Sequence, residues 1–89
     1  MNADRRQEIQ EIVIRIRATV KQVQQLIVDV DDVKEDETEA FAATPEALQS
    51  GDKGTAAEAA IENLDEASLE LDNAESALLT AIDVLDGIE

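Results

Sequence analysis

Apolar side chains along the first part of the chain return every third or fourth residue. Ile9, Ile12, Val13, Ile16, Val20, Val23, Leu26, Ile27, Val30 and Val33 keep this spacing for some seven turns. That is the period of a helix with one buried face, whereas a strand would alternate every second residue. The many β-branched residues favour a strand by propensity, but periodicity outweighs propensity over so long a stretch. In heptad notation Ile9, Ile16, Val23 and Val30 occupy position a. Ile12, Thr19, Leu26 and Val33 occupy d, and Val13, Val20 and Ile27 occupy e. The pattern predicts a helix over about residues 4–41, with Asn2 or Asp4 as its N-cap. Its apolar stripe is wide enough to pack on more than one neighbour.

A second pattern occupies residues 55–86. Position a reads Ala57, Leu64, Leu71, Leu78, Leu85, and d reads Ala60, Ala67, Ala74, Ala81, Ile88. Leucine supplies area to bury and alanine lets a neighbouring helix come close. Thr55-x-x-Glu58 fits a capping box at the start, and Gly87 fits a C-terminal stop.

The stretch between them, about residues 42–54, holds the only proline and two of the three glycines. Thr44-Pro45-Glu46 reads as an N-cap with proline at the first helical position, giving one turn through Leu48. Gly51 and Gly54 are expected to supply backbone freedom for the reversal. Phe41 and Leu48 are expected to plug the closed end.

At 1.5 Å per residue the two helices span roughly 57 Å and 48 Å, and a short connection makes them antiparallel. The expected fold is all-α: a long antiparallel two-helix hairpin, forming a single domain. Two helices cannot enclose a core, and with no cysteine to staple it a chain of 89 residues is expected to use a second copy. The expectation is a homodimer forming a four-helix bundle. Ile14, Val28, Leu69 and Leu79, which lie off the main stripes, are the expected interface.

Composition narrows the function. The chain has 22 acidic and 7 basic residues, for a formal charge of −15, and no His or Cys. Thiol and imidazole chemistry are excluded, and soft-metal sites with them. Ser50, Ser68 and Ser76 have no base beside them. Asp29-x-Asp31 begins like a calcium loop, but Val33, Lys34 and Ala40 fall where that loop needs an oxygen ligand, glycine and glutamate. No catalytic residue, cofactor or metal is expected, and the chain reads as a non-enzyme. There is no apolar run long enough to span a bilayer and no signal-peptide core near Met1, so the expected location is cytoplasmic. So negative a protein repels nucleic acid and anionic membranes, which leaves basic proteins as partners.

The charge is unevenly placed. Residues 1–28 carry five bases and three acids, whereas residues 29–89 carry 19 acids and only Lys34 and Lys53. In a hairpin the acids of residues 29–39 lie beside those from Glu58 to Glu70. Their spacing, about 1.5 Å per net charge, is close to the ~1.7 Å of duplex DNA. This suggests an acidic surface that imitates nucleic acid toward a basic, nucleic-acid-handling protein. Asp29, Asp32, Asp36, Glu39, Glu58, Glu62, Asp65 and Glu66 are its candidate residues. The competing expectation is a structural or assembly protein acting through its own helical oligomer, with the acids serving only solubility.

Several short stretches carry a resemblance: Arg5-Arg6, Asp36-Glu37 with Phe41, Pro45-Glu46-Ala47-Leu48-Gln49-Ser50, Lys53-Gly54, and Ala57-Glu58-x-Ala60-Ile61-x-x-Leu64. In this order they resemble a family of short phage and prophage proteins of unknown function. The resemblance implies a hairpin fold, a phage origin and hence a bacterial host cell. It implies no activity and no functional residues.

Overall fold

The computed structural model describes all residues from Met1 to Glu89. Helix α1 covers Ala3–Ala43, a single turn α2 covers Glu46–Gln49, and α3 covers Asp52–Asp86. There are no strands. α1 and α3 pack along each other as an extended hairpin 69 Å long and 14–15 Å across. The radius of gyration is 20.1 Å, where a compact chain of this length has about 12 Å.

The start of α1 is fixed by Asn2, whose Oδ1 accepts from the Arg5 backbone N–H at 2.9 Å. Asp4 lies in the first turn, where its charge meets the positive end of the helix dipole. α3 begins four residues earlier than the capping box suggests. Gly51, with extended backbone, is its N-cap, and the Gly51 carbonyl accepts from Thr55 N–H at 2.9 Å. Thr55 is therefore inside the first turn and caps nothing. The other end is as expected: Gly87 follows Asp86 and donates its N–H to the Asp83 carbonyl at 3.1 Å.

The turn differs from expectation in three ways. Pro45 occupies the N-cap of α2, not its first position, and Thr44 instead ends α1, its hydroxyl donating back to the Ala40 carbonyl at 3.0 Å. No glycine has positive φ, so the reversal uses ordinary backbone. Gly54 matters for space. It is buried, and a Cβ there would collide with the backbone of Gln49. Finally, Leu48 points outward and is 61% exposed. The plug is Gln49, whose Nε2 donates to the carbonyls of Phe41 at 3.3 Å and Thr44 at 2.9 Å. An amide fits here because the Thr44 carbonyl, past the end of α1, has no backbone partner, while the Phe41 carbonyl also accepts from Thr44 N–H at 3.1 Å.

The core is small and lies toward the open end. Only Val13, Val20 and Ile82 are buried among the hydrophobic residues, with Ile9, Ile16, Leu78 and Leu85 packed around them. Both helices turn their a and e positions inward, and Val23, Ile27 and Val30 of α1 and Ile61, Leu64 and Leu71 of α3 are half-buried further along the rod. Residues at the same level have numbers adding to about 100, as in the contacts of 17 with 86, 24 with 75, 31 with 68, and 34 with 65.

The d positions of α1 are not part of this packing. Ile12, Leu26 and Val33 are 42–54% exposed. The cause is geometric. Two helices meet along one seam, and at 100° per residue a and e fill it while d is turned roughly 80° away.

Candidate acidic interface

All four polar contacts between α1 and α3 lie on one edge of the hairpin. Arg17 pairs with Asp86 at 3.3 Å, and Gln24 donates to Glu75 at 3.4 Å. Ser68 donates to Asp31 at 2.8 Å, and Lys34 to Asp65 at 2.7 Å. Every one of these residues is at position b or e. The opposite edge, which carries the d positions of both helices, has no such contact.

Toward the closed end the polar edge becomes acidic. Asp31, Glu35 and Glu39 follow at four-residue spacing along α1, and beside them lie Lys34, Thr38, Asp65 and Ser68, together lining a shallow open groove. A second open groove shares Asp65 and Ser68 and continues over Glu62, Glu66, Leu69 and Asp72 of α3. The two form one continuous surface with a single cation. The Lys34 ammonium is held above the ordinary lysine range by its hydrogen bond to Asp65. Partial desolvation opposes this, and the negative charges of Asp65 and Asp31 add to it. The one base is thus already engaged, so the surface offers an incoming partner negative charge almost throughout.

The eight residues expected from the sequence are all exposed and all toward the closed end of the rod, but they do not share a face. Glu39, Glu62, Asp65 and Glu66 line the grooves. Asp29, Asp32 and Asp36 lie elsewhere on α1, and Asp29 accepts from Gln25 at 3.0 Å. Glu58 sits beyond the dense region, level with about residue 42. Asp31, Glu35 and Asp72 belong to the surface and were missed. The 31–35–39 spacing was visible in the sequence, but selecting it required knowing which edge of α1 faces α3.

Between residues 29 and 39, eleven acids of the two helices oppose Lys34. The net charge is about one per 1.6 Å of axis, against ~1.7 Å for duplex DNA. No group of three or more acidic side chains converges to hold a metal ion. No helix is long and apolar enough to cross a membrane.

The expected interface residues are also exposed: Ile14 at 65%, Val28 at 50%, Leu69 at 58% and Leu79 at 44%. They do not form one patch. Ile14 and Val28 are on the back of α1, Leu69 lies in the acidic groove with Asp65 and Asp72, and Leu79 lies beside Arg17 and Gln24 toward the open end. No family model, curated protein or solved structure matches the chain.

Proposed function

We propose that this chain is a non-enzymatic acidic binding module of the cytoplasm, which presents a DNA-like surface to a basic, nucleic-acid-handling protein and inhibits or modulates it. The observation that carries the reading is the continuous acidic surface of Asp31, Glu35, Glu39, Glu62, Asp65, Glu66 and Asp72, on a stretch of rod whose acids, counted on all its faces, come near the linear charge density of a duplex. Crowding of like charge on so small a domain costs stability through self-repulsion. A binding role accounts for that cost where solubility alone needs far less charge. The resemblance to short phage and prophage proteins is in keeping with an inhibitor made in a bacterial host. The same charge disfavours direct contact with nucleic acid or with an anionic membrane.

The test compares the native chain with a variant carrying Asp31→Lys, Glu35→Lys and Asp65→Lys, both used as bait in host lysate. The native chain should retain nucleic-acid-binding proteins that moderate salt releases and that added duplex DNA displaces. The variant should retain none of them. Captured proteins that DNA does not displace, or that both baits hold equally, would exclude the mimic.

A second reading has its own observation, the exposed apolar d positions of α1. Here the hairpin acts as an assembly element by pairing into a four-helix bundle. The two readings use opposite edges of the rod and are compatible in one molecule.

A further inference from the structure

The chain's surface is 6594 Å², whereas a compact monomer of its mass exposes on the order of 5,100 Å². The excess, on the order of 1,500 Å², is comparable to what stable protein pairs bury. Part of the exposed apolar surface follows one edge. Ile12, Leu26 and Val33 of α1 lie on the edge opposite the polar contacts, and the d alanines of α3 share that edge. Antiparallel helices that meet through a and e turn both their d rows to the same side. Thr19, the one polar residue of the α1 row, donates its hydroxyl to the Arg15 carbonyl at 3.0 Å and so needs no outside partner.

We propose that this edge is covered by a second copy of the chain, laid antiparallel about a two-fold axis perpendicular to the rod. The inference rests on the reading of the chain as a self-pairing hairpin, and it specifies the face and the register. The face differs from the back-of-helix surface of Ile14 and Val28.

The register follows from the d rows. The α1 row is symmetric about a point between residues 22 and 23, pairing Ile12 with the partner's Val33 and Thr19 with the partner's Leu26. The α3 row is symmetric between residues 77 and 78, pairing Ala74 with the partner's Ala81 and Ala67 with the partner's Ile88. Those two centres add to 100, so they lie at the same level of the hairpin by the spacing of the observed cross-helix contacts. One axis therefore serves both helices. Alanine along α3 lets the two copies of that helix approach closely.

Charge decides the direction. With the closed ends together, Asp29 and Asp36 of one copy would face the Glu70 side of the other, acid against acid. With the copies reversed, Arg15 lies beside the partner's Asp29, twice by symmetry. Arg5, which projects beyond the end of α3, falls over the partner's acidic closed end near Ala40. Glu8 then lies near the partner's Asp36, a like-charge pair that Arg5 offsets one turn away.

The chain has no cysteine, so single introduced cysteines report clean proximity. Gln22→Cys and Ala77→Cys each sit near the proposed axis, and each should trap a covalent dimer under mild oxidation. Lys21→Cys, which lies with Arg17 and Gln24 away from the d rows, should not. Light scattering after size exclusion should give twice 9.7 kDa for the unmodified chain. Leu26→Asp should raise the dissociation constant at least tenfold with helical circular dichroism retained, and Val28→Asp should not. A dimer that only Lys21→Cys traps, or one in which residue 22 crosslinks to 77 and not to itself, overturns the register and leaves self-pairing intact. A monomer mass overturns both, and neither outcome bears on the acidic edge.

Discussion

At the scale of single residues the turn is held by one amide and one missing side chain. Gln49 satisfies two carbonyls at the end of α1, and it can do so only because Gly54 lets the backbone of α2 lie against α3. In an ordinary helical position Gly→Ala gains about 1 kcal/mol. Here Gly54→Ala is expected to destabilise by about 1–3 kcal/mol, the range for forced overpacking. Thermal melts of Gly54→Ala beside Gly87→Ala, where the added Cβ would meet only ordinary contacts, check the sign. Lys34 makes the second prediction. Its folded-state pKa is raised, chiefly by the hydrogen bond to Asp65, so the folded chain holds the proton more tightly than the unfolded one. The contribution is complete below the unfolded lysine value of about 10.4 and is lost as pH rises through the folded value. The melting-temperature difference between the native chain and Lys34→Met should therefore be steady from pH 7 to 9 and shrink above pH 10. A constant difference to pH 11.5 would remove the pair from the account.

At the scale of elements, the two long helices were legible because their apolar spacing runs for many turns and no competing signal interrupts it. The boundaries near Thr55 and Thr44 were less legible. Each lies beside a residue that can also cap, Gly51 and Pro45, and the choice depends on where α2 docks. The buried residues show the same limit. Val13, Val20 and Ile82 are e positions, and only the pairing of the helices places e inside and the α1 d row outside. The acidic surface was half legible for that reason, since turning α1 by one position exchanges Asp32 for Asp31. Ile82 is 3% exposed and centres the only buried cluster. Ile82→Ala should cost about 2–5 kcal/mol, a large share of the ~5–15 kcal/mol typical of a whole domain. Val84→Ala, at a residue 65% exposed, should change little. Urea unfolding of the two variants side by side is the measurement, and equal effects would show that the cluster does not govern stability.

For the whole molecule, shape and charge act together. A rod 69 Å long with a formal charge of −15 carries most of that charge around its closed half. Screening should raise its melting temperature between 10 mM and 300 mM salt, because the Debye length falls from about 30 Å to below 10 Å. A fall would mean that pairs such as Arg17–Asp86 outweigh the repulsion. The placement of the core bears also on the speed of folding. A hairpin closes most easily from its turn, where the loop to be closed is shortest. In this chain the turn end carries the densest like charge, whereas Val13 and Ile82 meet only when the 68 residues between them have been brought into line. Stability is thus gained late along the folding route. Ile82→Ala should chiefly accelerate unfolding, Gly54→Ala should chiefly slow refolding, and stopped-flow chevrons of the two would show their effects on opposite limbs.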